Sequence, residues 1–237
     1  MTRLSVNVNK VALLRNSRGG NLPDVVAFAQ TCERLGADGI TVHPRPDERH
    51  IRRADVFALR DALGVELNVE GFPSPDYLKL IEAVRPAQAT LVPDPPNALT
   101  SDHGWNVVEK QDFLGPIVSQ IKAWGVRVSL FIDPDPLQVE AAAAVGADCV
   151  ELYTGPYAHH FLKNPHEAIA PYLPAAQRAQ ELGLRLHAGH DLNLQNLRFL
   201  RLHLPNLAEV SIGHALIADA LYEGIAETLR RYKQALL

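Results

Sequence analysis

The stretch ERLGADGITVHPR (33–45) has a counterpart in AAAVGADCVELYTG (142–155). Each reads as the end of an amphipathic helix, a Gly-Ala-Asp turn, a β-rich apolar run and a polar end. Gly36 and Gly146 fall just past a helix, where the backbone turns left-handed and glycine alone meets no steric penalty. WGVRVSLFID (124–133) and LGLRLHAGH (182–190) repeat the theme with Gly125 and Gly183. A unit that recurs in this way predicts a chain built from alternating helices and strands.

Working outward, eight strand-like runs appear, at 4–8, 39–42, 66–69, 89–92, 127–132, 149–152, 185–188 and 209–212. They are rich in Val, Ile and Leu and read as apolar on both faces for much of their length, the pattern of parallel strands covered by helices. Helical patterns lie between them, near 24–35, 53–63, 75–84, 107–124, 135–145, 167–182, 194–203 and 215–235. Strict alternation with right-handed crossovers predicts an α/β protein, a (β/α)8 TIM barrel, with residues 1–237 as one domain. A doubly wound open sheet is the alternative, but no G-x-G-x-x-G follows the first strand. No linker or low-complexity segment marks a boundary. VALLRNSRGG (11–20), VPDPPNALTSDHGWN (92–106) and GPYAHHFLKNPHEAIA (155–170) read as loops, the last two long enough to be functional.

The 237 residues are 47% apolar and 21% charged, which describes a chain able to bury a core. Their formal net charge of −4 excludes a global basic field for nucleic acid or an acidic membrane, so any anion must be held by a local cluster. Cys32 and Cys149 stand alone in apolar runs, which excludes a disulfide scaffold and a zinc site of the usual spacing. The opening MTRLSVNVNK lacks an apolar signal core, and no apolar run reaches the ~18 residues that span a bilayer. The expectation is a cytoplasmic protein.

Barrel enzymes place their chemistry at the C-terminal ends of the strands. Here those ends carry Asn7, Asn9 and Lys10, then His43 and Arg45, Glu70, Thr100 with Ser101, Asp133, Glu151 with Thr154, Gly189-His190-Asp191 and Gly213-His214. Glu70 and Glu151 would face a pocket, where partial burial raises a carboxyl towards the range useful for general acid–base work. The plain alternative for each is a structural partner of an Arg or a loop amide. His43 and His190 carry imidazole, the side-chain group whose ordinary range lies near neutrality, and stand on strand ends beside anion-binding residue types. His103, His159, His160 and His166 read as solvated surface, and His187 as packed. The Gly-His pairs after strands seven and eight suit a phosphate held on bare backbone N–H groups at a helix N-terminus. Arg15, Arg18, Arg45, Arg49 and His50 form a second basic cluster, since Arg matches phosphate bidentately. Arg49 reads as a solvated loop charge. Two anion sites on one rim imply two phosphorylated substrates, or one bisphosphate.

The motifs VNVNKVALLRNSRG, GADGITVHPRPDERHI, LNVEG, LVPD, VSLFID, ELYTGPYA, AGHDL and SIGHALI stand in the order and spacing of the pyridoxine 5′-phosphate synthase family, which the chain resembles over nearly its whole length. The resemblance implies a cytoplasmic barrel enzyme, a homo-octamer, of vitamin B6 biosynthesis. It implies condensation of 1-deoxy-D-xylulose 5-phosphate with 3-amino-2-oxopropyl phosphate, releasing phosphate and water, with no metal and no organic cofactor. By the same resemblance His43 and Glu70 are proton acceptors, His190 is the proton donor and Glu151 stabilises charge in the transition state. Asn7, Arg18, Gly213 and His214 match the aminoketone phosphate site, and Arg45, His50 and Thr100 the pentulose phosphate site. Many members read Asp-His where this chain has Asn9-Lys10, and Gly where it has Asp191. Asn9, Lys10 and Asp191 are counted with the substrate-binding positions.

Three rivals follow from the residues themselves. A Schiff-base aldolase would use Lys10, provided that an apolar, cationic pocket lowers its pKa. A metal-dependent hydrolase lacks a paired-His motif on strand one. A non-catalytic binder of phosphorylated ligands would have no use for His43, Glu70 and His190 together.

Overall fold

Asp38 and Asp148 close the same joint at two places in the chain. In a computed structural model that describes residues 1–94 and 101–237, the Asp38 N–H donates to Leu4 O at 2.9 Å, and the Leu4 N–H donates back to Asp38 Oδ2 at 2.9 Å. Asp148 repeats both bonds with Val128, each at 2.9 Å. The glycine two residues earlier is left-handed in both, with φ of 94° at Gly36 and 85° at Gly146. Gly125 and Gly183 adopt the same backbone, with φ of 79° and 71°. The glycine turns therefore do what their spacing predicts, and the aspartate fixes each new strand against the one before it.

Eight parallel strands follow: β1 (Arg3–Asn7), β2 (Gly39–Val42), β3 (Glu66–Gly71), β4 (Gln88–Leu91), β5 (Arg127–Ile132), β6 (Cys149–Tyr153), β7 (Arg185–Gly189) and β8 (Leu207–Ile212). Each pairs with the next and β8 returns to β1, giving a closed barrel in chain order. This is a single-domain (β/α)8 TIM barrel. The helices around it are α1 (Asn9–Asn16), α2 (Val25–Arg34), α3 (Arg53–Ala62), α4 (Pro75–Val84), α5 (Val107–Ala123), α6 (Pro136–Ala144), α7 (Gly155–Phe161), α8 (Pro165–Ile169), α9 (Tyr172–Glu181), α10 (Leu197–His203), α11 (His214–Glu223) and α12 (Ile225–Ala235). Several start where the sequence supplies a capping oxygen: Asp24 accepts from Ala27 N, Ser74 from Tyr77 N and Asp135 from Leu137 N. Among the described residues, no helix is long and apolar enough to cross a membrane.

The strands are not apolar on both faces. Outward residues such as Leu4, Val6, Ile40, Val42, Leu67, Val69, Leu130 and Ile132 are fully or nearly fully buried under the helices. The inward ones are polar, and they are joined into a belt. Ser5 Oγ lies 2.7 Å from Thr41 Oγ1, Asn68 Nδ2 donates to Thr41 Oγ1, Thr90 Oγ1 donates to Asn68 Oδ1, and Gln88 Nε2 donates to Thr90 Oγ1. A narrow barrel lumen accepts such side chains because each finds its partner on the neighbouring strand. The period-2 alternation behind this belt is visible in LNVEG and RVSLFI, where the polar residues stand two apart.

Four further readings change. VALLRNSRGG contains α1 rather than a loop, and 155–170 holds α7 and α8, each opened by a proline in its first turn. The long helix at 215–235 is two helices, broken at Gly224 with φ of 76°. The pattern at 167–182 is likewise split, between α8 and α9 at Pro171. Cys32 and Cys149 are unbridged and buried, as small core residues.

Candidate active site

Four titratable groups reach the C-terminal mouth of the barrel from four strand ends: His43 past β2, Glu70 on β3, Glu151 on β6 and His190 past β7. His43 is buried, and its Nδ1 stands 3.7 Å from Glu70 Oε2. Its backbone N–H donates to Asn9 Oδ1 at 3.0 Å, so the first residue of α1 fixes the end of β2. Burial holds the His43 imidazole well below its ordinary pKa, and the positive charges of Arg45 and Arg49 act in the same direction, as would His50 in its protonated form. Burial pushes the Glu70 carboxyl up to about 8, helped by the Asp94 charge and opposed by Arg45. At neutral pH the pair is thus a neutral base beside a neutral acid, not an ion pair. Such a pair can pass protons in either direction without separating buried charge.

Glu151 lies deeper, 4% exposed. Burial, then the charges of Glu70 and Glu209, push its carboxyl well above the usual range, so it is a carboxylic acid able to donate a hydrogen bond. Its Oε1 rests where a Cβ on Gly189 would stand, so the glycine before His190 makes room for it. Tyr77 fills the corresponding place under β3. Its ring occupies the space a Cβ on Gly71 would take, and its hydroxyl donates to Val69 O at 2.9 Å.

His190 and Asp191 form a turn in which both residues have positive φ, 93° and 58°. For side-chain-bearing residues this is strained backbone, about 1 kcal/mol or more at each position, and it persists only where the surroundings impose it. The imposing group is Thr154, fully buried at the end of β6, whose Oγ1 donates to the carbonyls of Gly189 and His190 at 2.8 and 2.6 Å.

The anion-binding side is divided between two rims. At β8, Gly213 precedes α11, and a Cβ there would press on the Asn7 side chain at 3.1 Å. Bare backbone, the start of a ten-residue helix, Asn7 and the exposed His214 therefore adjoin one another. At β2, the buried Arg45 donates to Asp94 Oδ2 at 2.6 Å, and Ser101 Oγ donates to the same oxygen at 2.7 Å. His50 Nδ1 accepts from Ile51 N, which leaves the proton on Nε2. Burial and then the charges of Arg45, Arg49 and Lys10 hold His50 down to about 4, so it is a neutral donor.

Some expected members are placed elsewhere. Arg15 is 2% exposed and holds Asp55 through both guanidinium nitrogens, at 2.7 and 2.8 Å, and also His50 O. It ties α1 to the β2–α3 loop and is no anion ligand. Lys10 is exposed in the first turn of α1, so the apolar pocket that the Schiff-base reading requires is missing. Arg18, just past α1, is exposed. Thr100 lies outside the described residues. Sequence reasoning missed Asp94 and Tyr77 as supporting groups, and placed Thr154 at its strand end without giving it a role. For Asp94 the available signal was its place in LVPD, two residues past the apolar run of β4.

A cavity of about 780 Å³ opens beside this constellation, lined by Phe72, Trp105, Phe113, Lys110 and Asp133 among others. It adjoins the ends of β3 to β5 and does not contain the His43–Glu70 pair. Among the described residues, no group of three or more His, Cys, Asp or Glu is arranged to hold a metal ion.

Fold and site together define a (β/α)8 barrel enzyme with its acid–base groups gathered at the C-terminal mouth. The family model described as pyridoxal phosphate biosynthesis protein PdxJ matches residues 4–237. A pyridoxine 5′-phosphate synthase of Porphyromonas gingivalis is 57% identical over 236 residues, covering 100% of this chain and 99% of that one. That of Bacteroides thetaiotaomicron is 55% identical, covering 100% of both. The chain belongs to the PdxJ family. Among solved structures, a phosphoribosyl anthranilate isomerase from Thermus thermophilus superposes with a TM-score of 0.61 at 18% identity, covering 99% of this chain and 98% of that one. At that identity the likeness is one of fold.

Proposed function

We propose that this chain is a pyridoxine 5′-phosphate synthase that joins 1-deoxy-D-xylulose 5-phosphate to 3-amino-2-oxopropyl phosphate, closes the pyridine ring and releases inorganic phosphate and water. The observation that carries the reading is the neutral His43–Glu70 pair, 3.7 Å apart at the mouth of a barrel of this family. The amine of one substrate attacks the ketone of the other. Dehydration and carbon–carbon closure then require protons to be taken from carbon and delivered to departing oxygen. His43, uncharged at neutral pH, is the first base. Glu70 delivers its proton to the leaving oxygen and then accepts one, which its position near neutrality favours. Glu151 stays protonated and stabilises negative charge by donating a hydrogen bond, and His190 donates a proton from the opposite side.

The aminoketone phosphate sits against Gly213, His214 and Asn7, with Arg18 reaching it from the end of α1. The pentulose phosphate sits against Arg45 and the Nε2–H of His50, while Asn9 and Lys10 line the same substrate. Two separate anion sites support two phosphorylated substrates rather than one. The enzyme acts in the cytoplasm, without metal or organic cofactor, as a homo-oligomer, and the octamer is the expected form. Exposed Leu13 and Leu14 on α1 and Leu221 and Tyr222 on α11 support association between copies.

Incubating the metal-free protein with both phosphates, and following pyridoxine 5′-phosphate by absorbance with inorganic phosphate in parallel, tests the reading. Both products are expected to appear together. Binding of both ligands without either product would overturn it.

A further inference from the structure

Asp191 is a carboxylate at the mouth whose charge is committed to a neighbouring catalytic candidate. Its Oδ2 stands 2.9 Å from His190 Nδ1. A carboxylate can only accept, so the proton of this bond belongs to Nδ1, which makes Nε2 the nitrogen at which the ring gains or gives up its second proton. We propose that Asp191 is a positioning residue for His190, which holds the imidazole by Nδ1 and turns Nε2 towards the reacting atoms.

The backbone is built for this contact. Adjacent side chains in extended or helical chain point apart, and here both residues adopt positive φ, which folds the carboxylate back onto the ring before it. Thr154 clamps the carbonyls on the N-terminal side of the turn. On the C-terminal side, the Asp191 carbonyl accepts from Asn193 Nδ2 and from Asn196 Nδ2, at 3.5 and 3.3 Å. The second face of the imidazole is held by Tyr153, edge to face with ring centroids 5.1 Å apart. The groups that bear on this turn are Asp191 itself, the Tyr153 phenol, His214, whose charge reaches Asp191, and Asp102 and Asp133, whose charges reach Tyr153. Glu151 lies beneath Gly189. The hydrogen bond from His190 also holds the Asp191 carboxyl below its ordinary range, against the effect of burial. The carboxylate compensates the charge of the ring when Nε2 carries its proton. The bond to His190 takes up Oδ2 of the carboxylate.

This inference rests on the proton-donor role proposed for His190. It is tested on the full-length protein with Asp191→Gly and Asp191→Asn, read by 15N chemical shifts of the His190 ring and by separate measurement of kcat and KM. Glycine adopts φ of 58° freely, so Asp191→Gly removes the carboxylate without straining the turn. In the unaltered protein the uncharged ring is expected to carry its proton on Nδ1, and in Asp191→Gly on Nε2. With that change kcat should fall about 10-fold or more while KM for each phosphate stays within about twofold. Asparagine can still accept from Nδ1 and should keep part of the signature and part of the rate. Persistence of the Nδ1–H form in Asp191→Gly would overturn the proposal, as would a raised KM at unchanged kcat, which marks a substrate ligand. A tautomer change in a protein that forms no pyridoxine 5′-phosphate would leave the His190–Asp191 pair standing and remove the functional reading instead.

Discussion

Glu66 and Glu70 stand four residues apart on one strand, both facing the lumen, and their carboxyls behave as opposites. At the N-terminal mouth Glu66 receives Arg127 at 2.6 Å and Arg3 at 3.0 Å. Burial works to raise it, but the two guanidiniums prevail and hold it at about 2. At the other mouth Glu70 has burial and the Asp94 charge against it, and stands at about 8. Arg45, whose charge opposes the rise, is already paired with Asp94. One end of the barrel pairs its charges and gains a closed floor. The other withholds a partner, and a carboxyl without one becomes a reagent at neutral pH.

The comparison is broken most severely by Glu70→Gln. Turnover is expected to fall by about 10³-fold or more while both phosphates still bind, since the amide keeps the shape and loses the proton. Calorimetric binding beside single-turnover kinetics checks this, and equal loss of both would return Glu70 to the ranks of structural residues. Gly189→Ala should cost about 10-fold to 100-fold in kcat, because the added methyl displaces the Glu151 carboxyl rather than any phosphate contact. A KM change with kcat intact would contradict it.

Stability against pH sharpens the same contrast, with opposite signs at the two mouths. The unfolded Glu70 carboxyl loses its proton near 4.5 whereas the folded one keeps it to about 8, so folding is progressively penalised as pH rises through that window. Glu70→Gln removes the penalty, and at pH 8 the variant should melt at a higher temperature than the unaltered protein. At pH 5 the two should nearly coincide. Glu66 is the reverse case: its contribution is full above about 4.5 and fades as pH falls towards about 2. Glu66→Gln should therefore lose about 1 kcal/mol at pH 7, a modest amount because the pair is partly solvated, with kcat of the folded enzyme unaltered. Thermal melts of both variants from about pH 2.5 to pH 8 check the two signs together.

Much of this was legible in the chain and some was not, for identifiable reasons. The Gly-Ala-Asp turns and the regular spacing of strands carry the barrel, because they are local signals. His43, Glu70, Glu151 and His190 stand out because a barrel brings all strand ends to one rim. The polar lumen was misread, since the apolar outer residues dominate each short run and mask the alternation with Ser5, Thr41, Asn68 and Ser129. The proline that opens α7 resembled the start of a loop. Which carboxyl is compensated is not a local property at all: Arg127 comes to Glu66 from 61 residues away. Lys10 and Arg15 show the same limit, for nothing in VNKVALLRN says which cation faces solvent and which is sealed against Asp55.

The joints made by Asp38 and Asp148 bear on accuracy as well as stability. A strand that slips by one residue presents its other face, which would displace His43 at the end of β2 or send Glu151 on β6 outward under the helices. Each aspartate makes two bonds to the preceding strand at its N-terminal end, and a slipped register would break both. The alignment of the acid–base groups is thus set at the end of the barrel away from the chemistry. Errors there would arrive at the mouth undiminished, as a strand displaced by a whole residue rather than a side chain displaced by a fraction of an ångström.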